Sequence, residues 1–188
     1  MESFRMAEQD VRSIKEEIRR QMAARPPAGV ETRRRVVAHV ERWLRERSAR
    51  VVVGFLAMGD EIDITPLVES LPEIRFGLTR TAPGKHLTVH DFHGPRERHP
   101  YGFEQPSVEA REIPPTEIDV VLVPGLAFSL DGRRLGRGAG YYDRFLAGVE
   151  ATKVGLATRD RIRTDIPLEP HDVTMDWVAT EDGVFEAL

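Results

Sequence analysis

The stretch that most constrains the fold runs from Val120 to Leu146 and reads VVLVPGLAFSLDGRRLGRGAGYYDRFL. It begins with an apolar run to Val123, continues through a loop with glycines at positions 132, 136, 138 and 140, and ends in an apolar-periodic segment starting at Tyr141. This order predicts a buried strand, a glycine-rich loop and the start of a helix. Because glycine permits positive φ and close backbone approach, the amide groups of such a loop can turn toward an anion.

The glycines alone leave two interpretations open. Gly136, Gly138 and Gly140 fit neither the dinucleotide-binding nor the P-loop pattern, so their spacing also allows a flexible loop that uses glycine only for a tight turn. The same loop is crowded with cationic, aromatic and acidic side chains, which are Arg133, Arg134, Arg137, Tyr141, Tyr142 and Asp143. This density favours a loop that binds phosphate.

The composition excludes several classes of protein. With 188 residues, of which 40% are hydrophobic and 31% charged, we expect one domain that spans residues 1–188. Apolar runs fall short of the roughly 20 residues that cross a bilayer, and the first residues are charged rather than signal-like. We therefore expect a cytoplasmic protein without a membrane partner. The absence of cysteine excludes thiolate metal sites and cysteine nucleophiles.

Charge is distributed unevenly along the chain. The net charge is −4, yet residues 1–50 contain 13 Lys and Arg against 8 Asp and Glu. This basic segment, with Arg33-Arg34-Arg35 in a predicted first helical turn, either faces an anionic ligand or forms solvated helix surfaces. Aromatic residues do not interleave with the basic positions, so we expect no nucleic-acid partner.

Helical and extended patterns alternate along the chain. Helices are predicted over residues 7–24 and 32–48, and strands over residues 51–57, 74–79, 87–92, 120–123, 153–157 and 175–180, the last of these being the final strand. The strands at 51–57 and 120–123 are apolar throughout, as in a parallel sheet covered on both faces. The predicted fold is a three-layer α/β/α domain with a largely parallel central sheet and N-terminal helices. Residues 93–117 are predicted to form a long loop, in which Tyr101-Gly102-Phe103 could form a lip over a flat ligand.

Two groups of residues outside the loop are candidate ligand contacts. In the first helix, Val11, Ile14, Ile18 and Met22 form an apolar stripe, and Lys15 and Arg19 share an adjacent face that suits either a polyphosphate or solvent. Glu61 follows the first strand, where α/β folds place ligands. The polar turn Leu168-Glu169-Pro170-His171-Asp172 could bring Asp172 to a metal ion held by Asp143. The histidines at 86, 90, 93 and 99 have irregular spacings and do not define a metal site.

The sequence from Arg134 to Leu146, RLGRGAGYYDRFL, with Val123-Pro124-Gly125 and Ala127-Phe128 before it, closely resembles the signature of the 5-formyltetrahydrofolate cyclo-ligase family. The likeness extends over most of the chain, at Lys15 and Arg19, Asp60-Glu61-Ile62, Gly102-Phe103 to Pro106, and His171-Asp172. Members convert 5-formyltetrahydrofolate into 5,10-methenyltetrahydrofolate with MgATP. The resemblance thus implies a ligase that forms a C–N bond, with ATP as co-substrate, Mg²⁺ as cofactor and small molecules as partners. We expect a monomer or a weak homo-oligomer.

The resemblance also implies roles for individual residues. ATP would be contacted by Lys15, Arg19, Arg134, Leu135, Gly136, Arg137, Gly138, Ala139, Gly140, Tyr141 and Tyr142. The folate would be contacted by Leu56, Glu61, Arg137, Gly138, Ala139, Gly140 and Tyr141. Asp143 and Asp172 would hold Mg²⁺, and Arg137 and Tyr141 would act in catalysis.

The chemistry of this family needs charge stabilisation more than a covalent nucleophile. ATP would phosphorylate the formyl oxygen, after which N10 closes the ring and phosphate leaves. Two positions depart from the most common family pattern. Members often have Gly or Lys where this chain has Ala139, and many have Tyr, although others have Arg, at position 137. An alanine at position 139 is tolerable if φ stays negative there. We expect activity with altered affinity; the alternative is a non-catalytic nucleotide- or folate-binding relative.

Overall fold

A computed structural model describes the chain from residue 2 to residue 188, apart from the side chains of residues 2–9 and 85. The helices are α1 (Glu2–Ala23), α2 (Val30–Arg47), α3 (Thr65–Ser70) and α4 (Tyr141–Leu146). The strands are β1 (Val51–Gly54), β2 (Arg75–Ala82), β3 (His86–Asp91), β4 (Arg96–Arg98), β5 (Glu104–Pro106), β6 (Val120–Val123), β7 (Ala127–Phe128), β8 (Arg134–Leu135), β9 (Thr152–Leu156), β10 (Trp177–Thr180) and β11 (Gly183–Glu186).

Seven strands form the central sheet in the order β11-β10-β9-β6-β1-β2-β3. The five inner strands run parallel, and the edge strands β3 and β11 are antiparallel to their neighbours. All four residues of β6 are buried, as expected for a central strand covered on both faces. The predicted α/β class and the largely parallel sheet are confirmed.

Two apolar layers cover the sheet. On one face α2 buries the predicted residues Val36, Val37, Val40, Trp43 and Leu44, together with side chains of α3 and of the strands. Full burial of a leucine such as Leu44 contributes about 1.5–3 kcal/mol. On the other face, apolar residues of α4 and of its C-terminal extension pack with Phe128 and the opposite side of β6.

Helix α1 packs on the loop region rather than on the sheet. Its residues Ile18 and Met22 are buried against Ala127, Leu135 and Ile166. The predicted apolar stripe is therefore only partly correct, because the Ile14 side chain is 45% exposed. Because α1 packs on a loop surface rather than on the broad sheet, a smaller part of its apolar face is buried.

Five short strands escaped the sequence prediction. The predicted loop at 93–117 contains the antiparallel pair β4–β5, and the glycine-rich region contains the pair β7–β8. Strand β11 follows β10, so the strand predicted to be last is the penultimate one. Strands of two to four residues are too short for a periodic pattern, and their pairing partners determine whether they form. None of the helices within the described residues combines the length and hydrophobicity required of a membrane span.

Candidate active site

The glycine-rich loop starts at the carboxyl end of β6, in the middle of the sheet, and returns through the β7–β8 hairpin to the start of α4. Gly138 and Gly140 have φ values of +98° and +68°, which other residues adopt only with strain. Within the described residues, Ser48 is the one non-glycine residue with positive φ, so Ala139 has negative φ and its methyl group is compatible with the loop. Ala139, where the sequence departs from the family pattern, is therefore compatible with the turn that the loop makes.

A buried ion pair fixes this loop to α4. The side chains of Arg134 and Asp143 are 5% and 17% exposed, and Arg134 Nη2 lies 2.9 Å from Asp143 Oδ1. Arg134 Nη1 also donates to the Pro124 carbonyl at 3.3 Å. Its Nε is buried and has no hydrogen-bond partner in the described part of the chain. The Nε–H group of Arg134 is therefore available to donate one more hydrogen bond beside the loop.

A second ion pair joins the loop to the end of β1. Arg137 Nη2 donates to Glu61 Oε1 at 3.1 Å, and the other Glu61 oxygen accepts from the Met58 amide at 2.9 Å. The Glu61 side chain is 11% exposed, whereas Arg137 is 50% exposed. Glu61 is thus held in place by a backbone amide, and Arg137 is the more exposed partner of the pair.

Tyr142 connects the start of α4 to the sheet. Its hydroxyl lies 3.1 Å from Thr79 Oγ1 on β2. Burial raises the pKa of Tyr142 well above its ordinary value, and the nearby Glu61 carboxylate adds to that shift. Tyr142 therefore stays neutral and serves as a hydrogen-bonding group rather than as a base.

Helix α1 contributes two cationic side chains, one beside the glycine-rich loop and one beside the polar turn. Arg19 Nε donates to the Gly136 carbonyl at 3.0 Å, and a Cβ at Gly138 would lie 3.4 Å from Arg19 Cζ. Lys15 is 4% exposed, and its Nζ lies 2.6 Å from Glu169 Oε2 and 2.5 Å from Asp172 Oδ2. The two predicted cations of α1 thus reach the glycine loop and the polar turn, respectively.

Glu169 is the polar-turn residue that sequence reasoning missed. The hydrogen bond from Lys15 lowers the pKa of Glu169, against the opposing effect of burial. Glu169, His171 and Asp172 place one ligand atom each within 4.8 Å of one another. Glu169 belongs to the same polar turn as Asp172, so the sequence already indicated that it could lie near the site. Its role became apparent only from its contact with Lys15, which is distant in the sequence.

One cleft of about 710 Å³ collects nearly all the predicted site residues. Its lining includes Lys15, Arg19, Leu56, Glu61, Arg134, Gly136, Arg137, Gly138, Ala139, Gly140, Tyr141, Tyr142, Asp143 and Asp172. Leu135 does not line it, because its side chain is 1% exposed and packs under α1. On the opposite rim, the β4–β5 hairpin contributes His99 and Phe103, whose rings stack with centroids 4.4 Å apart.

Fold and cleft together define the class of protein: a three-layer α/β protein with a cation-lined ligand cleft at the carboxyl edge of its sheet. Comparison with known proteins gives the family. A profile of the 5-formyltetrahydrofolate cyclo-ligase family matches residues 5–181. The chain belongs to this family of ligases.

Individual relatives agree with this assignment. The chain is 34% identical over 131 residues to 5-formyltetrahydrofolate cyclo-ligase of Saccharomyces cerevisiae, a match that covers 56% of this chain and 60% of that protein. It is 50% identical over 66 residues to the cyclo-ligase of Mycolicibacterium smegmatis, a match that covers 34% of each chain. Both matches span less than two thirds of the relative's length. The NMR structure of Aquifex aeolicus 5,10-methenyltetrahydrofolate synthetase superposes with a TM-score of 0.75 at 28% identity, covering 94% of this chain and 92% of that chain.

Proposed function

We propose that the chain converts 5-formyltetrahydrofolate into 5,10-methenyltetrahydrofolate at the expense of MgATP, with ADP and phosphate as the other products. The contact between Arg137 and Glu61 carries the proposal, because it joins the cationic glycine loop to the apolar and acidic wall of one cleft. A nucleotide on the loop and a folate against Glu61 would be neighbours. Phosphoryl transfer between two substrates requires this proximity.

The nucleotide half of the site consists of the glycine loop and two side chains of α1. Backbone amides of residues 136–140 and the guanidinium groups of Arg19 and Arg134 would contact phosphate oxygens, to which arginine donates charge-assisted hydrogen bonds. Lys15 already has two carboxylate partners. Since an ammonium group has three donors, one N–H of Lys15 remains for a phosphate.

The folate half of the site consists of Leu56 and Glu61. Glu61 would accept hydrogen bonds from N–H groups of the pterin, and Leu56 would pack against the ring. Binding of the pterin would compete with Arg137 for a Glu61 oxygen. Arg137 is half exposed and would be released toward the reacting groups.

The reaction then consists of two displacements. The formyl oxygen attacks the γ-phosphorus of ATP, and the bond to ADP breaks. N10 attacks the activated formyl carbon, the carbon–oxygen bond breaks with departure of phosphate, and N10 loses its proton. Arg137 would stabilise the negative charge on the transferred group, and Tyr141, which lines the cleft, would position it.

Asp143 and Asp172 suit Mg²⁺, which prefers oxygen ligands. Asp143 Oδ1 bonds to Arg134, and Asp172 Oδ2 bonds to Lys15 and to the Glu169 amide. In the described part of the chain, the second oxygen of each carboxylate makes no hydrogen bond, so both could act as ligands. Bound there, Mg²⁺ would offset the negative charge of the phosphates.

The test is the appearance of methenyltetrahydrofolate by absorbance, with purified protein, 5-formyltetrahydrofolate and MgATP. We expect product only when both substrates are present, and little from Asp143→Asn. Asp182→Asn is the matched control, because Asp182 is exposed and paired with Arg159 away from the cleft. Binding of both substrates without product would contradict the proposal and identify a non-catalytic binding protein.

A further inference from the structure

The β4–β5 hairpin forms one wall of the cleft but belongs to a sheet of its own. Its turn is closed by two backbone hydrogen bonds of 2.8 Å, from the His99 amide to the Phe103 carbonyl and from the Gly102 amide to the His99 carbonyl. The stacked rings of His99 and Phe103, the aromatic pair, are therefore carried by the hairpin as one unit. The place of this unit depends on side-chain contacts, since no ladder among the described strands joins β5 to β2.

Four side chains, which we name the hairpin network, connect the hairpin to β2. Glu97 and Gln105 face each other across the hairpin, and Gln105 Nε2 donates to Glu97 Oε1 at 2.8 Å. The same Glu97 oxygen accepts from Arg80 Nη2 at 2.9 Å. Gln105 Oε1 accepts from Thr81 Oγ1 at 2.5 Å and from the Thr81 amide at 3.2 Å. The network thus begins and ends on two neighbouring residues of β2.

The inner members of the hairpin network are shielded from solvent. Gln105 is 4% exposed, and the Arg80 side chain is 13% exposed. The hydrogen bond from Gln105 lowers the pKa of Glu97, so that carboxylate stays charged at neutral pH. Arg80 Nε is buried and has no hydrogen-bond partner among the described residues. Because loss of one member would leave further buried polar atoms unpaired, the network favours a single position of the hairpin.

The hairpin network borders the part of the cleft assigned to the folate. Thr81 and Gln105 line this cleft together with Leu56, Glu61 and Phe103. A flat ligand held between Leu56 and the aromatic pair needs a fixed separation of the two walls, because a gap of about 0.5–1 Å forfeits roughly a quarter to a half of the dispersion attraction. We propose that the hairpin network positions the aromatic pair against the folate, with Gln105 as its central member, a proposal that rests on the proposed function.

The experiment compares two substitutions of Glu97. Glu97→Gln keeps an oxygen that can accept from both Arg80 and Gln105, whereas Glu97→Ala removes it. We expect Glu97→Ala to raise the KM for 5-formyltetrahydrofolate by roughly threefold to tenfold, the ordinary effect of a lost hydrogen bond, with kcat and the KM for ATP unchanged. Glu97→Gln should restore the folate KM to within about twofold of the wild-type value.

A second variant tests the centre of the hairpin network. Gln105→Met keeps the approximate size of the side chain but none of its hydrogen bonds, and it should raise the folate KM by a similar factor. The double variant with Glu97→Ala should be little worse than either single variant, because the network is already broken. Gln21→Met, at an exposed position of α1 outside the lining of the cleft, is the control. If Gln105→Met does not fold, the two Glu97 variants decide the question, since Glu97 is 36% exposed.

Other results would overturn the assignment. An unchanged folate KM in Glu97→Ala, or an equal rise in Glu97→Gln, would show that these hydrogen bonds do not position the hairpin. An effect on kcat or on the KM for ATP alone would also refute it. If the wild type made no product, the proposed function would fail by itself. The network would then be tested by calorimetric titration with 5-formyltetrahydrofolate in the absence of ATP, where equal Kd values for wild type and Glu97→Ala, or no binding to either, refute it.

Discussion

The guanidinium of Arg134 lies 2.9 Å from the carboxylate of Asp143 and ties the β8 strand to the first turn of α4. Both groups border the cleft, so the same contact that shapes the loop also sets the position of a proposed metal ligand. A stability effect and an activity effect are therefore expected from either residue.

Replacement of Arg134 by methionine should destabilise the protein by about 2–4 kcal/mol, because it leaves the largely buried Asp143 carboxylate without its partner. Urea denaturation measures the change. Arg20→Met is the control, since Arg20 is 80% exposed and paired with Glu17 on the surface of α1. A loss no larger than that of the control would show that the ion pair contributes little.

Replacement of Glu61 by glutamine keeps the shape of the side chain but removes its charge. We expect kcat/KM for the folate to fall by roughly tenfold to a hundredfold, the worth of a hydrogen bond to a charged group, with little change in the KM for ATP. Steady-state kinetics with each substrate varied in turn measure this. Glu150→Gln, at an exposed position that is not among the lining residues of the cleft, serves as the control. An effect confined to ATP would remove Glu61 from the folate half of the site.

The pair of Lys15 and Glu169 should make stability depend on acid pH. The pKa of Glu169 is lowered in the folded protein by the hydrogen bond from Lys15, so the stabilisation is complete above the ordinary glutamate pKa of about 4.3 and is lost as pH falls through the lowered value. Lys15→Met should cost about 2–3 kcal/mol at neutral pH and less at acid pH. Denaturation from neutral to acid pH measures the difference, with Lys153→Met, at the Asp176 pair, as control. A difference that stays constant with pH would contradict this account.

The buried Arg161 should act on the site through Asp60. Its guanidinium forms an ion pair with Asp60, the neighbour of Glu61, and its side chain is 7% exposed. Arg161→Met should raise the folate KM by displacing the loop after β1, and Arg161→Lys should restore part of it. In a double-mutant cycle with Asp60→Asn, the coupling energy should be about 1–3 kcal/mol. Additive effects would mean that Arg161 does not act through Asp60.

Local sequence patterns were sufficient to predict several of the secondary-structure elements around the site. The apolar run of β6, the glycines before Tyr141 and the helical period of α2 each depend on neighbouring residues, and the structure has these elements where they were predicted. The resemblance of residues 134–146 was also confirmed at the level of the family. Site roles and the use of Mg²⁺ remain predictions, as do the single domain, the oligomeric state and the cytoplasmic location.

Short paired strands and long-range contacts could not be predicted in this way. The β4–β5 hairpin was mistaken for a loop because its three-residue strands contain mostly polar residues and depend on each other for hydrogen bonds. Ile14 was predicted to be buried, yet it is 45% exposed. A helical period shows which residues share a face of α1, but it does not show how much of that face a neighbouring element covers.

By itself, the sequence determined the α/β class, the strand–loop–helix at the centre and the family, since each follows from residues close together in the chain. Only the tertiary structure decided which charges meet. Lys15 pairs with Glu169 and Asp172 across 154 and 157 residues, and Arg137 with Glu61 across 76. Such pairs depend on how α1, the loop after β1 and the polar turn pack around the sheet, and the sum of many weak long-range contacts fixes that packing rather than any local pattern.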